Sequence, residues 1–239
     1  MLILNNLLIT ILLGVIPALL WLWFWLKEDD NPEPPQEIFI VFIAGMFGVV
    51  VALILEHLIS DSNEYARGYW GYGMQVFQIV NLIGFAFAEE IIKTCAVILT
   101  AFKSPYVDEP VDAMIYMVAA AMGFAAMENM FFIADGIQTT GINQSILVSA
   151  FRFINAVLIH ATTATLIGAG FSFSFFHRKY RVKEVAFAIF AATVLHALYN
   201  YFILGSENSV FNQIGATFIV ASGAIMALIL FERARRVHI

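Results

Sequence analysis

The sequence predicts an all-α, polytopic transmembrane helical bundle of about seven spans, and three observations carry that reading. Hydrophobic residues make up 61% of the 239 and charged residues only 13%, with a mean hydropathy of +0.84. A soluble domain carries roughly 25% charged residues, so the deficit is too large for a water-exposed surface. The apolar residues fall into runs of the ~20 residues that a helix needs to cross a bilayer core. They lack the alternating ~10-residue segments that would mark a transmembrane barrel.

The expected spans are 4–26, 37–59, 74–102, 112–133, 144–176, 184–204 and 210–232, forming one transmembrane domain over 1–239. Its core is placed at 74–204, with 1–73 and 205–239 as accessory spans. The first run is not a cleavable signal peptide, because it lacks a basic start, exceeds h-region length and has no A-x-A site before Lys27. Asn31-Pro32-Glu33-Pro34-Pro35 is a stiff linker to the second run. After that run, 61–73 holds Gly68, Tyr69, Trp70, Gly71, Tyr72 and Gly73, an interfacial aromatic belt or a glycine-hinged gate. The single Cys95 in the third run excludes an internal disulfide and is read as core filler.

Lys and Arg alternate by loop. Lys27, Lys103, Arg178, Lys179, Arg181, Lys183, Arg233, Arg235 and Arg236 gather on one face, and Arg67 alone on the other. The positive-inside rule places the N-terminus outside and the C-terminus in the cytoplasm. The net charge of −6 is not gathered into an acidic or basic tail, so nothing points to a nucleic-acid partner. The partner that composition implies is the lipid bilayer.

Function is read from ionisable residues inside the apolar runs: Glu89, Glu90, Glu128, His160 and His196. Each costs several kcal/mol at that depth unless it is paired or lines a wet cavity, so it is functional by default. At ~1.5 Å per residue, Glu90 lies ~20 Å from the Lys103 edge, Glu128 ~24 Å from Asp112, His160 ~27 Å from Arg178 and His196 ~18 Å from Glu184. Four helices thus present acids and imidazoles in one layer. Lys93 is four residues from Glu89 and three from Glu90, so it can partner either. His196 and Asn200 share a face, and Arg152 can hold a carboxylate from another helix. Lys93 and Arg152 also read as structural counter-charges, and Asn129 and Asn200 as interhelical hydrogen-bond glue. Asp108 and Asp112 read as solvated, Glu56 and His57 as interfacial, and His177 and His238 as members of basic clusters.

The motifs in these runs resemble the PrsW family of intramembrane proteases, within the CAAX-protease and bacteriocin-processing superfamily. Phe87-Ala88-Glu89-Glu90-Ile91-Ile92-Lys93 is similar to that family's E-E-x-x-K motif, and Gly123-Phe124-Ala125-Ala126-Met127-Glu128-Asn129 to its G-F-A-x-x-E-N signature. Arg152, His160 and Thr163 follow, and then His196-Ala197-Leu198-Tyr199-Asn200, like its H-x-x-x-N. Ala113 stands where the family usually has Gly, and Phe132 where it often has Tyr. The resemblance covers 85–200 and implies a cell-membrane enzyme cutting a single-span protein such as an anti-sigma factor. The superfamily also includes a scaffold subunit that is not thought to cleave, so fold alone does not imply activity.

Two versions of peptide hydrolysis stay open. In one, Glu89 or Glu90 with His160 deprotonates water, while His196 and Asn200 donate to the oxyanion. In the other, a zinc ion is held by His160, His196 and either Glu128 or Glu90. No Ser-His or Cys-His pair competes. A proton-coupled transporter or an inert peptide-binding scaffold could use the same buried layer.

Overall fold

The computed structural model describes residues 2–175, 181–204 and 210–236. The helices are α1 Leu2–Trp25, α2 Pro35–Trp70, α3 Met74–Thr100, α4 Asp112–Thr139, α5 Ile142–Ile154, α6 Ala156–Phe173, α7 Arg181–Leu204 and α8 Val210–Arg235. There is no strand among the described residues. His177, Arg178, Lys179, Ser206 and His238 lie outside the described residues.

Polarity in this bundle is reversed relative to a soluble protein. Phe47, Leu99, Phe187 and Phe218 are exposed, while Glu89, Glu90, Lys93, His160 and His196 are buried. A large apolar exterior is stable against lipid, not water. Among the described residues, six helical runs are long and apolar enough to cross a membrane, with α5 and α6 counted as one run. The seventh expected span, α3, has 27 residues but carries Glu89, Glu90 and Lys93, so it is long enough without being apolar enough. Its buried face carries those three charges, and its outer face shows Val76, Ile79, Val80, Ile83 and Phe87.

The central element is α4, buried without interruption from Asp112 to Ala126 and packed against α1, α2 and α6. Small residues let the backbones come close, as is common between membrane helices. A Cβ on Gly45 of α2 would collide with the Ala120 carbonyl oxygen, and one on Gly123 with the Phe42 carbonyl oxygen. A Cβ on Gly168 would stand 2.6 Å from Met114 Cα, which ties α6 to α4. Glu128 and His160 are positioned by these approaches.

Several expectations change. The second helix does not stop near 59 but runs to Trp70, so most of 61–73 is helix rather than a glycine-rich loop. It ends at Gly71, whose φ of +70° suits glycine and whose N–H donates to the Arg67 carbonyl. The fifth span is two helices, broken at Asn155, whose Nδ2 donates to the Phe151 carbonyl at 3.2 Å. Such a side-chain bond to a carbonyl four residues back competes with the helix ladder. Cys95 is exposed on the outer face of α3, not in the core. Asp112 is not solvated but 1% exposed, because the α1–α2 connection folds over it. Its Oδ2 accepts the backbone N–H groups of Asp108 and Glu109.

Candidate active site

Four helices meet at the buried polar layer: α3 brings Glu89, Glu90 and Lys93, α4 brings Glu128, α6 His160 and α7 His196. At its centre, Glu90 and Lys93 are both 0% exposed, with Lys93 Nζ donating to Glu90 Oε1 at 2.6 Å. The same oxygen accepts from Thr163 Oγ1 at 3.0 Å and from His196 Nδ1 at 2.8 Å. An i,i+3 pair on α3 thereby fastens α6 and α7 through one carboxylate oxygen. This carboxylate is a holder, its three donors offsetting the desolvation of a buried charge.

His160 is fixed from both ends. Its Nε2 lies 3.0 Å from Glu128 Oε2, and its Nδ1 lies 3.1 Å from Lys93 Nζ. An ionised carboxylate only accepts and an ammonium only donates, so Nε2 carries the proton and Nδ1 the lone pair. The same reasoning gives His196 a proton on Nδ1, facing Glu90, and a lone pair on Nε2. Glu128 is held in turn by Arg152, whose Nη2 stands 3.1 Å away in an ion pair angled too poorly for a hydrogen bond. Arg152 Nε donates to Asn129 Oδ1 at 2.7 Å. The Phe124 ring closes one side, its centroid 5.0 Å from Lys93 Nζ and 5.7 Å from the His160 ring centroid.

Glu89 is different. Its Oε2 is buried without a hydrogen-bond partner, as Glu90 Oε2 also is, and what sets Glu89 apart is where that oxygen lies. It stands 3.9 Å from His160 Nδ1 and 3.8 Å from His196 Nε2, the two nitrogens that keep lone pairs. One donor atom from each of Glu89, His160 and His196 lies within 4.8 Å of the others. Zinc bonds of about 2.0–2.1 Å place tetrahedral donors about 3.4 Å apart, so a small inward closure brings these gaps to ligand spacing. The far nitrogen of each imidazole is bonded to a carboxylate, the usual support for a metal-binding histidine. Lys93 must release His160 Nδ1 for that nitrogen to bind a metal, keeping its bond to Glu90. The donor set therefore fits a hydrolytic zinc centre. The carboxylate oxygen within 3.9 Å of both free imidazole nitrogens belongs to Glu89, whereas Glu128 and Glu90, the ligands expected from the sequence, meet the other ring nitrogens. Those two anchor the outer sides of the rings.

Asn200 is not brought into the cluster by any hydrogen bond. It is half-buried one turn beyond His196. Glu56 is not simply interfacial, since it lies within electrostatic reach of Glu89, Glu128 and His196. It is 14 residues from the α2 end at Trp70, about 21 Å, and the sequence signal that would have shown this is the true helix end. Thr163, three residues after His160 on the same face, is a further member of the site.

The family model described as PrsW family intramembrane metalloprotease matches residues 33–230. The chain is 27% identical over 197 residues to Protease PrsW of Clostridioides difficile (strain 630), covering 81% of this chain and 78% of that one. It is 25% identical to Protease PrsW of Oceanobacillus iheyensis over 92% of this chain and 94% of that one. Against Protease PrsW of Bacillus subtilis (strain 168) the identity is 21%, over 83% and 84%. No solved structure matches the chain.

Proposed function

We propose, because the chain belongs to the PrsW family of intramembrane proteases, that it hydrolyses a peptide bond in or beside a membrane span with water activated at Glu89, His160 and His196. It is a multi-pass cell-membrane protein of a protease family; the substrate, the residue roles and the metal belong to this proposal. The observation that carries it is the unpartnered Glu89 Oε2 facing two imidazole lone pairs. Groups built only for packing would have closed on one another. A zinc ion bound there would acidify a water and polarise the scissile carbonyl.

The chain's own residues have separable tasks. Glu90 and Glu128 fix the tautomers and directions of His196 and His160. Lys93 and Arg152 balance those two carboxylates. Glu89, with an oxygen that no donor occupies, is placed to take the proton of an attacking water or to hold the metal. The Asn200 amide, with no partner in the cluster, is available to a substrate carbonyl whose oxygen gains charge in the transition state. A single-span protein such as an anti-sigma factor is the substrate class that the family suggests.

Proteoliposomes test the reaction class. Purified protein with a single-span substrate should yield two peptides on mass spectrometry and no pH-gradient-driven flux. Flux without cleavage would make it a transporter, and substrate binding with neither would make it a scaffold.

The positive-inside reading of the loops supports an N-terminus outside and a C-terminus in the cytoplasm, with Ser62 on the outer face. On that topology the scissile bond falls in the outer part of a substrate span or just outside it. In a Cys95→Ala background, Ser62→Cys should react with a membrane-impermeant thiol reagent in intact cells, and Lys179→Cys only after permeabilisation. The reverse labelling would invert the topology and move the cut to the cytoplasmic half.

A further inference from the structure

We propose that a second site, at the loop end of the bundle and separate from the buried layer, binds a hard divalent cation, calcium or magnesium, through Asp29, Glu109 and Asp112. One carboxylate oxygen from each of the three lies within 4.8 Å of the others. Two oxygens on opposite sides of a calcium ion stand about 4.8 Å apart, and about 4.2 Å for magnesium, given bonds of about 2.4 and 2.1 Å. An all-oxygen donor set selects these ions over zinc or copper.

Acidic clusters are common, and here a second observation points to a ligand. Asp29 is 5% exposed, and its Oδ2 is buried with no hydrogen-bond partner. Its Oδ1 accepts the Asn31 backbone N–H at 3.0 Å, which fixes the side chain. Asn31 Nδ2 in turn donates to Glu109 Oε1 at 2.5 Å, and Asp112 Oδ2 accepts two backbone N–H groups. One oxygen on each side chain is thus used to orient it. Glu33, 8% exposed, accepts the Tyr116 hydroxyl at 2.5 Å and lies within side-chain hydrogen-bonding reach of Asp112, so an incoming ion would replace a proton shared by those two carboxyls.

Among the described residues, none of Asp29, Glu33, Glu109 and Asp112 makes an ion pair. Two cations of the adjoining segments are engaged elsewhere, Lys27 Nζ over the Trp23 ring at 3.4 Å and Arg235 with Glu28 and Glu232, while Lys103 in the Glu109 loop is exposed and makes no ion pair with the triad. Burial raises the Asp29 carboxyl above its usual range, and the Glu109 charge adds to this. Buried carboxylates at this density are stable when they coordinate a metal. The ion would clamp the α1–α2 connection onto the start of α4, the helix that carries Glu128, so the site is a positioning device and not a second catalytic centre.

The test is calorimetric titration of the full chain in nanodiscs with calcium and, separately, magnesium, alongside the melting temperature. One equivalent of one ion should bind and raise the melting temperature with concentration. Asp29→Asn should weaken binding by about tenfold or more, since affinity at such sites follows ligand charge. Asp108→Asn, an exposed neighbour outside the triad, should leave it unchanged. If Asp29→Asn does not fold, Glu109→Gln on the half-buried loop takes its place. Absence of binding at millimolar ion, equal binding in the triad variant, or equal loss in Asp108→Asn would each overturn the proposal. Because the readout is ion binding, failure here leaves the proposed protease activity untouched.

Discussion

Glu89→Gln should lower the cleavage rate by about 10²–10⁴, the range for losing a positioned acid–base group, with little change in melting temperature. Glu90→Gln should also lose activity, and should lower stability as well. The difference follows from what each carboxylate touches. Glu89 Oε2 has no hydrogen-bond partner, and its ion-pair contact with Lys93 is a distant 3.9 Å. Gln keeps the volume and removes the basicity. Glu90 Oε1 receives Lys93, Thr163 and His196 together, and Lys93 is 0% exposed. Neutralising it leaves the buried ammonium with only the 3.9 Å ion-pair contact to Glu89, and breaking a buried pair in this way costs about 3–5 kcal/mol. Cleavage assays and thermal melts of the two purified variants separate these roles. Native rates in both would end the carboxylate mechanism. A larger loss of stability for Glu89→Gln than for Glu90→Gln would exchange their assignments.

Much of the site could be read from the sequence because hydrocarbon makes ionisable residues conspicuous. Glu89, Glu90, Glu128, His160 and His196 stand out against apolar neighbours, and their shared depth follows from helical rise alone. Which carboxylate faces the imidazoles could not be read. Glu89 and Glu90 differ by about 100° around α3, and that rotation is set by the packing of α3 on α2 and α7, not by anything local. The break at Asn155 was hidden because the apolar run continues through it, while one amide side chain competes with the backbone. Glu56 was misplaced because α2 stays helical past Gly68, an exposed glycine that costs helix stability without ending it. The burial of Asp112 depends on the α1–α2 connection lying over it, a contact between residues about 80 positions apart that no local pattern encodes.

His160→Ala and His196→Ala should each lose bound metal and cleavage together. Each removes one of three donors, and two remaining donors hold zinc far more weakly in a site of this type. The two variants should differ in a way that reports the surrounding carboxylates. His160→Ala frees Glu128 Oε2 from its 3.0 Å contact but leaves Arg152 at 3.1 Å to balance it, so the bundle should keep most of its stability. His196→Ala removes one of three donors to Glu90 Oε1, leaving Lys93 and Thr163 in place. Removing an outer support instead of a ligand, as in Glu128→Gln, should weaken metal binding by about 10–100-fold without abolishing it. Elemental analysis of the native chain and the three variants, with cleavage measured on the same preparations, gives the ordering directly. Slow inactivation by a chelator and recovery with added zinc should accompany it. Full cleavage by extensively chelated protein that contains no metal would instead leave Glu89, with His160 held by Lys93 and Glu128, as a metal-free general base. In that case the 3.1 Å Lys93–His160 contact persists through catalysis, where a metal would have displaced it.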